Sequence, residues 1–291
     1  MSRPNISLAG FIWLLTACTS HTSGPEVAPY PSQPRPAETT ARTSSTNTTW
    51  EFIPFEQSHI YRSTSYTVIH EVSTTRPRVD TLKLNTHFSI NLNQLQNPTT
   101  ISGYIDSATV AQNSELTSEL NNPQSRIGFT GEIEGGEVRL KLSTNQGECS
   151  SPMTPILGEI RPLITTHSKT LSLTSAWTDS ISAVTCSGSS ILTTLKIVRS
   201  YRVLGEETYS ATQVLLIERI EATNFNGSGS QEQHQVEIKG IGIGTSRIYL
   251  DRITGATVAV ESTQKVDTII RSSGRLQHFI QNITQKIELV P

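Results

Sequence analysis

Ser262 and Lys265 have the spacing of a nucleophilic serine and the lysine that activates it. That chemistry requires both side chains on one face of a helix, beside a strand that carries K-T-G. Here the two residues lie in an alternating stretch that predicts a strand, which turns them to opposite faces, and the sequence has no K-T-G. G-x-S-x-G, H-E-x-x-H and calcium-loop patterns are absent from the sequence as well. We therefore expect a protein that is not an enzyme and that uses no cofactor.

Three glycines alternate with isoleucine in the segment KGIGIG, residues 239–244. A dinucleotide-binding loop would need G-x-G-x-x-G followed by a helix, whereas these glycines are spaced G-x-G-x-G and a strand pattern follows. In a strand they share one face: Gly240, Gly242 and Gly244. Such a bare strip lets the sheet coil sharply or leaves room for a bulky group. We expect Trp177, or the segment around Ile156 and Leu157, to fill it; a bound ligand is the alternative.

Histidines are scattered singly along predicted strands. A metal centre would need several of them, or cysteines and carboxylates, at suitable spacing. The sequence shows no such spacing, and we predict no metal site.

An apolar run from Ile6 to Thr16 follows Arg3 near the amino terminus and leads into Leu15-Thr16-Ala17-Cys18. The run is too short to span a bilayer, which takes about 20 residues, and its length suits the apolar region of an export signal. The last four of these residues resemble the lipobox of bacterial lipoproteins. The resemblance implies that residues 1–17 are a signal peptide and that a lipid on Cys18, the new first residue, anchors the protein to a membrane. The alternative is a buried apolar start with an incidental cysteine.

Residues 18–50 are rich in proline, serine and threonine and hold few aliphatic side chains. Such a segment buries too little apolar surface to offset its ordering entropy, so we predict a disordered tether. In lipoproteins of two-membrane bacteria, a residue other than aspartate after the lipidated cysteine usually accompanies sorting to the outer membrane. Thr19 stands there, and the resemblance therefore implies an outer-membrane anchor facing the periplasm, with surface exposure as the alternative.

Cys149 and Cys186 are the two cysteines that remain if Cys18 is lipidated. An even number of cysteines in an exported chain favours a disulfide. We predict a bond between them, and two free thiols are the alternative.

Composition excludes some partners. A net charge of -2 and a pI near 6.4 provide no basic field for nucleic acid. No later apolar run reaches membrane-spanning length, so the membrane would be contacted through the lipid alone. Residues 51–291 suffice for one sizeable β domain.

Alternating polar and apolar residues predict strands through most of that domain, as in Val79–Leu92. Turn residues separate the strands at 134–137, at 226–229 and at Thr254-Gly255. The predicted fold is mostly β, a long antiparallel meander forming a curved sheet or barrel. One short helix is predicted over Thr154–Ile164 and a weaker one near Ser114–Leu120.

The segment GIGIGTSRIYLDRITGATVAV, residues 240–260, resembles a hairpin common in poorly characterised exported β-rich lipoprotein domains. Tyr249, Asp251 and Gly255 match that hairpin, and the AWTDS around Trp177 and Asp179 is similar to a feature upstream of it. The resemblance covers about the last 115 residues of the chain. It brings no catalytic residue.

Two functional hypotheses follow. The first is a non-enzymatic structural or protein-interaction lipoprotein that presents a surface to a cell-envelope partner. The second is a carrier of lipid or another hydrophobic ligand, suggested by the short helix, the glycine strip and the membrane anchor. A core filled by side chains would favour the interaction module, and a continuous apolar cavity beneath Ile156 and Leu157 would favour the carrier.

Overall fold

The computed structural model of the protein describes residues 48–53, 56–72, 78–95, 99–120, 127–134, 137–142, 160, 163, 170–187, 191–231 and 234–290. Nearly all of them lie in strands: β1 Thr49–Glu51, β2 Glu56–Glu71, β3 Arg78–Asn93, β4 Thr99–Gln112, β5 Glu115–Leu120, β6 Ile127–Glu134, β7 Glu137–Leu142, β8 Thr170–Ser172, β9 Ala176–Ser187, β10 Ile191–Tyr209, β11 Thr212–Gln231, β12 His234–Asp251, β13 Thr257–Ser272 and β14 Arg275–Leu289. The mostly β prediction is confirmed. No helix among the described residues is long and apolar enough to cross a membrane.

One large antiparallel sheet holds all of these strands except β1 and β8, which pair with each other. Its order is β7-β6-β4-β3-β2-β14-β13-β12-β11-β10-β9, and β5 pairs with β4 beside β6. From β9 to β14 each strand lies next to its successor, as in the predicted meander. β14 then pairs with β2, so the last strand of the chain joins the two halves of the sheet.

The sheet curls around its own core. Along β10, buried and exposed residues alternate strictly from Ile191 to Val203, so one face of the strand is fully covered. A single buried cluster contains Phe129 of β6 and Tyr201 of β10, which lie near opposite edges of the sheet. The edge strands β7 and β9 themselves approach within 8 Å between Cα atoms. The predicted curvature is therefore present.

Two-residue turns close three of the hairpins. Each pair has positive φ at both positions: Asn113-Ser114, Ser210-Ala211 and Ser273-Gly274. This is the geometry of a type I′ turn, whose twist matches that of the flanking strands. The helix predicted near Ser114–Leu120 is consequently wrong, because the turn returns the chain as β5 along β4. Hairpin pairing with β4 outweighs the local helical preference of that segment.

The turn predicted at residues 226–229 is also wrong, since these residues continue β11 through to Gln231. Gly227 allows β10 and β11 to approach each other closely and does not form a turn. A Cβ at this position would lie 2.7 Å from the carbonyl oxygen of Leu192 in β10. The turn at Thr254-Gly255 is confirmed, with φ of 72° at Gly255.

Asp251 builds that turn. Its Oδ1 accepts hydrogen bonds from the backbone N–H of Ile253 (3.0 Å) and Thr254 (2.7 Å) and from Thr254 Oγ1 (2.8 Å). The aspartate and glycine of the hairpin pattern thus have a structural role, because the carboxylate satisfies loop donors and the glycine supplies the left-handed backbone.

Of the helix predicted over Thr154–Ile164, only Ile160 and Leu163 are described. Ile160 lies in a helical turn and Leu163 in a 3₁₀ turn, and both are buried against the core. Thr257 Oγ1 donates a 2.5 Å hydrogen bond to the carbonyl of Leu163. The rest of that segment, with Ile156 and Leu157, lies outside the described residues.

Candidate functional site

Two apolar clusters fill the interior. One, which we call the Tyr201 cluster, includes Tyr61, Phe88, Tyr201 and Ile217. The other, the Phe225 cluster, includes Ile69, Ile197, Phe225 and Ile270. Their buried members are at most 6% exposed, so side chains occupy the described part of the interior.

Inward-facing polar side chains separate the two clusters. Between the two clusters, each of the strands β9 to β14, β2 and β3 turns one or more polar side chains inward. We call this set the polar layer: Asp179, Arg199, Arg219, Glu221, Ser246, Ser262, Gln285, Ser63 and Thr86. Buried polar groups cost free energy unless they are hydrogen-bonded, so their contacts decide what the layer does.

The centre of the polar layer is a buried ion pair. Arg199 donates from Nε and Nη2 to the two carboxylate oxygens of Asp179, each at 2.6 Å. The two side chains are 3% and 5% exposed. Tyr201 donates from its hydroxyl to Asp179 at 3.2 Å, and its ring lies 5.6 Å from the Arg199 guanidinium carbon. The carboxylate is thus held by three donors.

The electrostatics follow from this geometry. Burial alone would lower the pKa of the Arg199 guanidinium, but the hydrogen bonds to Asp179 and the neighbouring charges outweigh burial and raise that pKa. Burial also raises the pKa of Tyr201 to about 12. At neutral pH the guanidinium is therefore charged and the tyrosine is protonated, which suits a structural contact.

Weaker hydrogen bonds extend the layer across the sheet. Arg219 donates to Ser246 Oγ at 2.9 Å and lies 3.5 Å from the Glu221 carboxylate. Ser262 donates to Gln285 at 3.4 Å, and Gln285 donates to Ser63 at 3.5 Å. An apolar ligand along the described interior would have to cross this layer.

The glycine strip faces this interior. Its alternation is as predicted, because Gly242 and Gly244 are buried while Ile241 and Ile243 are 57% and 55% exposed. A Cβ at Gly240 would overlap the ring of Phe225, its partner on β11. At Gly240 the occupant is therefore Phe225 and not the expected Trp177. The other expected occupant, the segment around Ile156 and Leu157, lies outside the described residues.

Trp177 lies elsewhere in the core. It stacks on Tyr201 with ring centroids 4.8 Å apart and an interplanar angle of 5°. At the other end of the strip, a Cβ on Gly244 would lie 2.9 Å from Glu221 Cγ. Gly244 thus makes room for a side chain of the polar layer.

The lipid anchor and the disulfide stay predictions. Cys18 and Cys149 lie outside the described residues. Cys186 is in β9, where its backbone pairs with Leu192. Among the residues that the structure describes, no group of three or more metal-binding side chains lies together.

The outer face of the sheet carries an exposed apolar surface, which we call the aliphatic patch. It consists of Val198, Ile220, Ile241, Ile243 and Ile269, on the four adjacent strands β10 to β13, with exposures of 41–57%. Pairing aligns Val198 with Ala222 and Ala222 with Ile243. Three exposed lysines stand on the same outer face beside the patch: Lys196, Lys239 and Lys265.

Next to the patch, charges of alternating sign cross the sheet. One outward residue from each of β10 to β14 takes part, and we call this set the charge row: Arg202, Glu218, Arg247, Glu261 and Lys286. Arg202 and Glu218 are 2.6 Å apart, and Lys286 and Glu261 are 3.8 Å apart. Such cross-strand pairs of opposite charge favour this register.

Between the charge row and the aliphatic patch runs a threonine row, Thr245, Thr263 and Thr284, which are paired across β12, β13 and β14. The threonine row and all members of the charge row except Arg202 line a groove of about 660 Å³ on the outer face. Thr245 and Thr263 share a hydrogen bond of 3.1 Å between their hydroxyls. The outer face therefore offers two distinct surfaces, one aliphatic and one polar.

The fold defines the class: a mostly β protein with one large, curled antiparallel sheet whose described interior is filled by side chains. No family model and no curated protein matches the sequence. Among solved structures, OccK10 (OpdN) of Pseudomonas aeruginosa is 6% identical over 80% of this chain and 99% of its own, with a TM-score of 0.18. A putative outer membrane lipoprotein-sorting protein domain from Vibrio parahaemolyticus is 6% identical over 80% of this chain and 84% of its own, with a TM-score of 0.12. TM-scores this low carry no conclusion about function.

Proposed function

We propose that this chain is a non-enzymatic lipoprotein of the bacterial cell envelope, held at the outer membrane by a lipid on Cys18, and that it binds an envelope protein through the aliphatic patch. The observation that carries this proposal is the patch itself. Contiguous exposed apolar surface on a soluble domain marks a site of interaction.

The patch offers moderate binding energy. Full burial of a large aliphatic side chain contributes about 1.5–3 kcal/mol. Because each member is about half exposed, its further burial would contribute about 1 kcal/mol. Several such side chains together suit a specific partner rather than an obligate, permanent one.

The surroundings of the patch favour a protein with an acidic rim. Lys196, Lys239 and Lys265 outnumber the one carboxylate opposite Ile241, that of Asp267, so this border carries more positive than negative charge. Complementary charge directs docking. A membrane surface is less well matched, because faces that enter the lipid interface are enriched in tryptophan and tyrosine. All members of the patch are aliphatic.

The interior supports the interaction module over the carrier. Side chains fill both apolar clusters, and the Asp179–Arg199 pair with its hydrogen bonds separates them. An acyl chain extending through both would have to displace or desolvate a buried ion pair, which costs several kcal/mol.

The test is a photo-crosslinking amino acid at Ile241 in the full-length protein, in its native cells. We expect one envelope protein to be captured, and we expect Ile243→Lys to abolish that capture. The same crosslinker at Ile60, which is 52% exposed on β2, is the matched control and should not capture that protein.

Two outcomes would overturn the proposal. One is crosslinking to lipid alone, or to a protein whose capture does not change with Ile243→Lys. The other is fatty acid or phospholipid extracted from the purified protein at near-stoichiometric level, which would establish the carrier instead.

A further inference from the structure

The groove on the outer face has a chemistry different from that of the aliphatic patch, and it goes beyond the proposed function. It spans β11 to β14 and β2 and has a volume of about 660 Å³. Its outward-facing lining combines the threonine row, four members of the charge row, Thr64 and Tyr66; three residues of the polar layer, Ser246, Ser262 and Gln285, lie beneath it. We propose that this groove binds a neutral glycan chain.

Charge balance is the first argument. The groove contains two carboxylates, Glu218 and Glu261, and two cations, Arg247 and Lys286. Each is the direct cross-strand neighbour of an opposite charge. A balanced surface of this kind attracts neither an anionic nor a cationic polymer from a distance, so the matching ligand is polar and uncharged.

Hydrogen-bonding capacity is the second argument. A sugar hydroxyl both donates and accepts. Neighbouring carboxylate and guanidinium groups, such as Glu261 and Arg247, can accept from one hydroxyl and donate to the next with charge-assisted hydrogen bonds. The threonine hydroxyls can likewise both donate and accept hydrogen bonds.

The third argument is an aromatic face at the end of the row. Thr284 of the threonine row pairs with Tyr66 on β2, and Tyr66 is 43% exposed. A tyrosine ring provides apolar surface with a polar tip, which fits the C–H face of a pyranose ring beside its hydroxyls.

The direction of the groove indicates a chain rather than a single sugar. Thr245, Thr263, Thr284 and Tyr66 lie on four consecutive strands. Neighbouring strands are about 4.8 Å apart, so this row extends for about 14 Å across the strands. An extended oligosaccharide of a few units would occupy it. A protein partner would be expected to insert an apolar core, and the groove offers none.

The test uses the full-length protein in detergent micelles, with isothermal titration of three named probes: chitohexaose, cellohexaose and a hexamer of galacturonate. We expect saturable binding of at least one neutral hexamer and weaker binding of the anionic one. Which neutral hexamer binds more tightly separates an N-acetylated glycan from an unsubstituted one.

Variants locate the site. Glu261→Gln and Tyr66→Ala should each weaken binding about tenfold, as expected for loss of one strong contact. The matched control is Glu237→Gln, which neutralises another outward carboxylate that pairs with β13, through Arg271 at 3.7 Å, outside the groove. Its affinity should stay unchanged.

Three results would overturn the proposal. These are no saturable binding of either neutral hexamer, tighter binding of the galacturonate hexamer, or equal weakening by Glu237→Gln and Glu261→Gln. Circular dichroism of each variant confirms that its sheet is intact. None of these results bears on crosslinking at Ile241, so the two proposals fail separately.

Discussion

Replacing Asp179 with asparagine tests whether the buried ion pair controls stability. The change keeps the shape of the side chain and removes its charge. Arg199, which is 3% exposed, would then keep a buried positive charge without its hydrogen-bonded carboxylate. Its remaining negative neighbour is Glu221, which already lies 3.5 Å from Arg219. Breaking a buried pair in this way costs about 3–5 kcal/mol, a large part of the 5–15 kcal/mol that is typical of a folded domain.

Urea unfolding followed by tryptophan fluorescence measures this loss, since Trp177 stacks within the same cluster. With a slope of about 3 kcal/mol per molar urea for a domain of this size, the midpoint should fall by about 1 M or more. The matched control is Glu218→Gln. Its pair with Arg202 is equally short, 2.6 Å, but exposed, and such pairs contribute about 1 kcal/mol or less.

A double variant separates charge from packing. Asp179→Leu combined with Arg199→Met removes both charges and should recover much of the stability that Asp179→Asn loses, because no buried charge remains unpaired. A shift for Asp179→Asn no larger than that for Glu218→Gln would refute the reasoning.

Three further predictions concern the core and the β12–β13 turn. Gly240→Ala should lower the free energy of unfolding by about 1–3 kcal/mol because the new Cβ overlaps the Phe225 ring. Gly242→Ala should lower it less, because the closest atom to its Cβ is a Val266 methyl group at 3.1 Å. Equal urea midpoints for the two variants would contradict this. The pKa of Tyr201 is raised to about 12 in the folded protein, against about 10 in the unfolded chain. As the pH rises, the tyrosine therefore loses its proton in the unfolded chain first. The free energy of unfolding should be unaffected by this group below about pH 10 and should fall towards pH 12. Tyr201→Phe should flatten that fall in urea midpoints measured across this range, and an unchanged slope would exclude the tyrosine as its source. Asp251→Ala removes an acceptor of three hydrogen bonds and should lower the free energy of unfolding by about 1–3 kcal/mol, whereas Asp251→Asn should retain most of it; equal losses in calorimetry would show that the acceptor is not the cause.

Alternation in the sequence was sufficient to predict most strands and their faces. In β12 it placed the three glycines opposite Ile241 and Ile243, as the structure shows. The same counting would have found the polar layer, because Arg199 and Arg219 occupy inward positions between buried aliphatic residues. The indication that was missed is an arginine at a position where strand alternation predicts a side chain facing the core.

The register between strands could not be predicted from local patterns. The charge row exists only because five strands align residues that are up to 84 positions apart in the chain, Arg202 and Lys286. The occupant of the glycine strip depended on the same information, since Phe225 faces Gly240 only in the register observed. The wrong helix near Ser114 has the same origin, because pairing with β4 decides that segment.

The pairing of β14 with β2 sets the timing of assembly. Tyr61 lies opposite Leu289, so the strand that unites the two halves is synthesised after every other described strand. Until it arrives, β2 and β13 each have an unpaired edge, which is prone to association with other chains. Contacts so distant in sequence also slow folding. The two halves therefore cannot complete their common sheet until β14 is available, and truncation within β14 should leave two half-sheets with aggregation-prone edges.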